Sequence, residues 1–449
     1  MAIKATLKPI PRIKDHPLLG SFREFNSNRL ALFRRVEQEC GEIGSFGMGP
    51  FPATMLNSSE LVQQVLVDQA DAFSKNSPQY NAMRPVSGNG LLSSEGDYWK
   101  RQRKLMAPAF VPRRIAAYAE TMVAYTAQMQ AGWRQGETVD IHKEMIRLTM
   151  SIVGKTLFDA EVFSEADGLG AAFHTAAEYI NQIGSNILSA PLAWPSERNR
   201  HTRAALHLIK SRVGGMIAER RNAPEEHGDL LAMLMAARDE QGQGMTEEGI
   251  LDELITLFLA GHETTANSWA WAFYLLASNP AAYAKVQGEV GSVLAGRAAT
   301  AADLPHLIYT TQVLKECLRL FPAAYIMTRV AIRDVNLGGY LIKQRFPVII
   351  SQYAIQRSAR YFPDPDHFDP DRFTPAHEKR LPRHAWMPFG AGAHTCIGSH
   401  FALMEGLLIL ATLAQRCTLH LVPQQRILPQ AGIAIFPKYG IRMWVENRV

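Results

Sequence analysis

Between residues 97 and 300, apolar side chains recur at helical spacing almost without a break. No other feature of the chain constrains its fold as strongly. Pro108, Pro112, Pro191, Pro195 and Pro224 punctuate the run. A chain built this way is mainly α with a smaller β part. Short strands are predicted around Gly44–Asn57, and Val/Ile-rich pieces from Tyr325 to Tyr353, broken by Gly338 and Gly339, predict more. Further helices are predicted at Arg29–Cys40, Ser59–Asp68 and Ser399–Gln415, followed by C-terminal strands. No linker, repeat or low-complexity tract divides the chain. Residues 1–449 therefore read as one domain, with β-rich parts near 41–58 and 325–353 plus the C-terminal strands, and helical parts near 59–320 and 399–415. Hydrophobic residues make up 47% of 449, ample for a large core.

The formal net charge is +5, too modest to imply nucleic-acid binding and compatible with a local basic face for an acidic partner. Lys4, Lys8, Arg12 and Lys14 interrupt the N-terminus, and no stretch of 18 apolar residues occurs anywhere. A cytoplasmic protein without a membrane anchor is expected. The four cysteines, Cys40, Cys317, Cys396 and Cys417, form no CxxC pair and no disulfide framework. Three of them read as small buried hydrophobes.

Cys396 is different. In Phe389-Gly390-Ala391-Gly392-Ala393-His394-Thr395-Cys396-Ile397-Gly398, two glycines permit a tight turn with positive φ. The cysteine follows that turn and precedes an apolar helix, whose N-terminus favours a thiolate. Gly398 withholds a side chain where a flat cofactor would come close. A thiolate donates charge to haem iron and favours O–O cleavage.

This segment resembles the cysteine-loop signature of the cytochrome P-450 family, and further motifs match in the family's order over roughly residues 90–400. The resemblance implies a triangular helical prism with a long central helix over the haem and small β-sheets. It implies haem b with iron held by the Cys396 thiolate, O2 as oxidant, and NAD(P)H supplying electrons indirectly. The expected activity is insertion of one oxygen atom into an apolar substrate. The pattern is nearer the soluble bacterial fatty-acid-hydroxylating branch, with steroid, terpenoid or polyketide-like scaffolds as other candidates.

Ala260-Gly261-His262-Glu263-Thr264-Thr265 lies in a helix predicted over Thr246–Ser278, capped by Thr246 and roughly 50 Å long. The family places oxygen activation here. Ala260 and Gly261 would leave room for dioxygen, Thr264 would hydrogen-bond it, and Glu263 would relay protons. Glu316-Cys317-Leu318-Arg319 puts two opposite charges on one helix face. With Arg372 they would form a buried network holding the cysteine loop. Trp99, Arg103, Arg329 and His394 would contact the haem carboxylates, and Leu91, Phe389 and Gly398 would also touch the cofactor.

Family pocket segments correspond to about Ser77–Ser94, Leu169–Ser196, Leu257 to Thr264, Ala324 to Thr328 and Gly432 to Phe436. Met83, Leu92, Leu257, Ala324, Ile326 and Ile433 are the candidate substrate contacts, with Ile187 and Leu188 nearby and 161–190 as a candidate lid. Two basic clusters, Lys100-Arg101 with Arg103-Lys104 and Lys379-Arg380 with Arg383-His384, are candidate docking sites for an acidic ferredoxin or flavodoxin served by its reductase. A monomer is expected. Two other readings stay open: a peroxygenase or isomerase on the same centre, and a haem-binding sensor without turnover.

Overall fold

The computed structural model describes residues 7–159, 166–185, 192–222 and 229–448. They form two compact units. The first is drawn from residues up to Asn81 and from Lys315–Cys396; the second from Ala82–Leu314 and from Ile397 onward.

A five-stranded sheet organises the first unit, in the order Ile43–Met48, Phe51–Leu56, Pro347–Ile350, Met327–Ala331, Phe73–Ser74. All pairings are antiparallel except Phe51–Leu56 with Pro347–Ile350, where Thr54 faces Val348. Ile43, Leu56, Val348 and Ile350 bury one face of the sheet in a core with Leu61, Val62, Val65 and Phe362. The helix Arg29–Cys40 has the predicted bounds: Asn28 caps it by accepting from the Ala31 N–H, and Gly41 ends it at φ 72°. The predicted helix Ser59–Asp68 is α only to Gln63 and widens into a π-turn over Gln64–Asp68.

The second unit is helical. Glu263–Ser278 is buried on nearly all sides, from Thr265 to Phe273 and at Leu275 and Leu276, as a central core helix must be. It packs on Ile141–Phe158 within this unit. The single long helix expected over Thr246–Ser278 is instead two, Glu247–Gly261 and Glu263–Ser278, broken at His262. Hydroxyls explain the break. Thr264 donates to the Ala260 carbonyl at 2.5 Å, Thr265 to that of Gly261 at 2.5 Å, and Thr149 to that of His262 at 2.9 Å. Three successive carbonyls thus gain side-chain donors, and such back-bonding bends helices. Thr246 caps the first half as predicted, accepting from the Gly249 N–H at 3.0 Å. A three-residue strand, Thr138–Asp140, interrupts the predicted helical run and joins a sheet with Arg442–Asn447 and Cys417–Leu421. Three residues are too few for an alternating pattern to be read.

Candidate active site

The cysteine loop is built by close approach. Gly390 and Gly392 have φ of 74° and 69°, and a Cβ on Gly392 would lie 2.1 Å from the Leu66 carbonyl oxygen. Leu66 belongs to the π-turn, so that turn sets the loop's position. The Cys396 N–H donates to the carbonyl of the half-buried Phe389 at 2.9 Å. Cys396 is exposed, whereas Cys317 and Cys417 are buried and Cys40 is half-buried. Burial pushes the Cys317 and Cys417 thiols far up, so neither serves as a thiolate. A Cβ on Gly398 would meet nothing within 4 Å, so local packing does not require glycine there.

Behind the loop, Glu316, Arg319 and Arg372 come together. Arg319 donates Nε and Nη2 to the two Glu316 oxygens at 2.6 and 2.7 Å, and both side chains have no exposure. Its remaining donors reach the carbonyls of Gln356, Pro365 and His367. Glu316 also accepts the Asp369 N–H at 2.9 Å, and Arg372 lies 3.6 Å from it. The sequence reading missed Gln356, which is fully buried. Its amide donates to the carbonyls of Leu318 and Arg319 and accepts the Met387 N–H at 2.8 Å. The ion pair thus reaches the cysteine loop through a neutral side chain.

Arg329 is 4% exposed and donates to the Thr328 carbonyl at 2.8 Å and weakly to the Tyr80 hydroxyl at 3.4 Å. Among the described residues it has no carboxylate within 4 Å. A buried guanidinium without a counter-charge is costly and suits an anionic ligand. Lys75, also missed, is 4% exposed and stands 5.6 Å from the same Tyr80 ring that Arg329 faces. Two buried cations thus flank one phenol. His394 is half-buried in the same unit, Ile326 is half-buried and Ala324 is exposed.

The second unit carries the other candidates. Ala260 is exposed although Leu254–Leu259 before it are buried. Burial pushes the Glu263 carboxyl up, beyond what His174 takes back, so it tends to keep its proton. His262 is buried and held well below its ordinary value, at about 4. Trp99 and Leu91 are buried, and Arg103, one helical turn after Trp99, is half-buried. Of the substrate-pocket candidates, Met83 and Leu257 are buried and Leu92 and Ile433 half-buried. Ile187 and Leu188, with the two ends of the 161–190 segment, lie outside the described residues, and its middle is the helix Ala166–Ser185.

The basic cluster at 100–104 differs from expectation. Lys100 pairs with Asp97, Arg101 with Asp239 at 2.6 Å, and Lys104 with Glu240. Acids from the same unit offset these charges, which weakens the cluster as a docking face. Lys379, Arg380 and Arg383 are exposed, and none is ion-paired among the described residues; His384 accepts or donates at Gln63 at 2.6 Å.

Residues 10–440 match the family model for Cytochrome P450. This chain belongs to the cytochrome P450 family. It is 36% identical to the cyclooctatin synthase of Streptomyces melanosporofaciens over 88% of this chain and 86% of that one. It is 35% identical to the cyclooctat-9-en-7-ol 5-monooxygenase of the same organism, over 91% and 88%. It is 31% identical to the pentalenene oxygenase of Streptomyces avermitilis, over 91% of each. As a cytochrome P450 of bacterial type it is a haem-thiolate monooxygenase, using haem b, O2 and electrons from NAD(P)H through redox partners. The residues fit that cofactor. An exposed cysteine on a glycine turn can ligate iron, and the uncompensated Arg329 suits a haem carboxylate. Among the described residues, no helix is long and apolar enough to cross a membrane.

Proposed function

We propose that Cys396 is the axial ligand of this monooxygenase, that Glu263 and Thr264 handle its protons, and that its substrate is a cyclic unsaturated hydrocarbon or the corresponding alcohol. The exposure of Cys396 at the end of the glycine turn carries this reading. When bound, haem b supplies the iron at which O2 is activated. Arg329, His394, Trp99 and Arg103 hold its carboxylates, with Lys75 beside Arg329, while Phe389, Gly398, Leu91 and Ala260 line it. Thr264 donates its hydroxyl proton back to the Ala260 carbonyl, which leaves the oxygen's lone pairs free to accept a hydrogen bond. Glu263, whose carboxyl burial pushes above its ordinary value, is the proton relay one residue away.

Relatives named for pentalenene and cyclooctat-9-en-7-ol support a cyclic substrate over a fatty acid. Met83, Leu92, Leu257, Ala324, Ile326 and Ile433 form its apolar contacts. Lys379, Arg380 and Arg383, rather than the paired cluster at 100–104, receive an acidic ferredoxin or flavodoxin. The protein works as a cytoplasmic monomer.

Cys396→Ser should abolish the thiolate signature of the reduced carbon-monoxide spectrum. Thr264→Ala should divert oxygen consumption to hydrogen peroxide. Retention of the native spectrum by the first variant, or full coupling in the second, refutes the corresponding role. Titration of the ferric protein with pentalenene and with palmitate should give a high-spin shift with the former; a shift with palmitate alone overturns the substrate class.

A further inference from the structure

The loop 88–92 is tied to the helix Glu247–Gly261 by two adjacent acids. Asp252 accepts the Asn89 N–H at 2.7 Å, and Glu253 accepts the Leu91 N–H at 2.8 Å. Glu253 has no exposure. The loop is pressed so close that side chains are excluded. Gly88 has φ 55°, and a Cβ there would lie 2.0 Å from an Asp252 oxygen; a Cβ on Gly90 would lie 2.0 Å from the Thr256 hydroxyl. Packing a loop on a helix does not require acids. Taking the Glu253 carboxylate out of water is expensive, and the Leu91 amide offsets part of that cost, while the half-buried Asp252 holds the Asn89 amide at the loop's edge. The amides at 89 and 91 bracket Gly90, so the two bonds fix both the height and the rotation of the segment. Leu91-Leu92 comes directly after that glycine, and Leu257 stands one turn beyond Glu253 on the helix.

We infer that Asp252 and Glu253 are positioning residues that latch the Leu91-Leu92 segment and thereby set which ligand shapes are accepted. The inference rests on the monooxygenase site proposed above. The latch acts through the loop and touches no reacting atom. An amide at either position still offers an oxygen to the loop N–H, whereas an apolar isostere does not. The latch therefore separates Asp252→Asn and Glu253→Gln, which keep it, from Asp252→Leu and Glu253→Leu, which break it.

The test is spectral titration of the ferric holoprotein with two iron-binding probes, imidazole and 4-phenylimidazole. The small probe does not report on the pocket wall, and the large one does. In Asp252→Leu and Glu253→Leu, the ratio of the two dissociation constants should change by roughly tenfold, while Asp252→Asn and Glu253→Gln keep the parent ratio. A purely structural role would move both probes together, through lost holoprotein, and leave the ratio unchanged; that result overturns the latch. An unchanged ratio in Gly90→Ala, which forces the loop off the helix, would also overturn it. The reduced carbon-monoxide spectrum of each variant keeps the two proposals apart: absence of the thiolate signature in the parent defeats the haem-thiolate assignment, whereas a normal spectrum with an unmoved ratio defeats only the latch.

Discussion

The side-chain oxygen of Gln356 accepts the N–H of Met387 at 2.8 Å, while its nitrogen donates to the carbonyls of Leu318 and Arg319. One neutral amide therefore joins the buried Glu316–Arg319 pair to the chain that enters the cysteine loop. Glu316→Gln should destabilise the protein by about 3–5 kcal/mol, because it leaves a buried guanidinium uncompensated. Gln356→Leu should cost about 1–3 kcal/mol in unfolding and also loosen the loop, so haem loss should accelerate more than the stability change alone explains. Urea unfolding and transfer of haem to apomyoglobin measure the two effects. Equal and proportionate effects on both readouts would mean that Gln356 is only a core residue.

Arg329 gives a prediction with opposite signs. It is a buried cation with no carboxylate within 4 Å among the described residues. Arg329→Met should make the haem-free protein more stable, by about 1–3 kcal/mol. The same change should weaken haem binding by roughly tenfold, about 1.4 kcal/mol. Unfolding of the apoprotein and haem titration would show it. A less stable apoprotein with unaltered haem affinity contradicts the role.

His262 is buried with its Nδ1 2.5 Å from the Phe258 carbonyl, so that nitrogen carries the proton and donates. Burial lowers its pKa from 6.5 to about 4. Below pH 6.5 the unfolded chain takes up a proton that the folded chain refuses until about pH 4. Stability from this group is thus complete above 6.5 and declines towards 4, by roughly 3 kcal/mol in all. His262→Gln should flatten that slope in urea unfolding measured across the window. A slope unchanged by the substitution would assign the acid sensitivity elsewhere.

Glu405 works the other way. It is fully buried, it accepts from the Trp269 N–H at 3.5 Å, and burial raises its carboxyl from 4.5 to about 8 against the opposing effect of Trp269 and the Thr265 hydroxyl. The unfolded chain loses this proton above 4.5, while the folded chain holds it to about 8. Stability therefore falls as pH rises between those values. Glu405→Gln should stabilise the protein by roughly 3 kcal/mol at pH 7 and by little at pH 4.5. Between 4.5 and 6.5 the His262 and Glu405 slopes oppose each other, so their two contributions largely cancel there, and above 6.5 only the Glu405 decline remains of the pair. A Glu405→Gln variant no more stable than its parent at pH 7 would mean that the acid is ionised in the fold.

Much of this was legible because the relevant signals are local. The turn at Gly390 and Gly392, the Glu316/Arg319 pair and the Thr246 cap each lie within a few residues, where spacing alone fixes geometry. What escaped depends on contacts distant in sequence. Gln356 is an ordinary polar residue until Met387 and Arg319 close on it, and Lys75 is an ordinary lysine until it shares the Tyr80 ring with Arg329. The pairing of Arg101 with Asp239 spans too many residues for a charge count to detect. The break at His262 was missed for a related reason: one of its three hydroxyl donors, Thr149, comes from another helix.

That donor makes position 149 a partner of positions 264 and 265, although a sequence comparison would place them in different segments. A mutational library that varies the Thr264-Thr265 pair while holding Thr149 fixed samples only part of the bend. Serine is the one natural replacement at 149 that keeps a hydroxyl on the same branch point; valine matches the volume and loses the donor. The tolerated alphabet at this position should therefore be two letters wide, set by a backbone oxygen on a neighbouring helix.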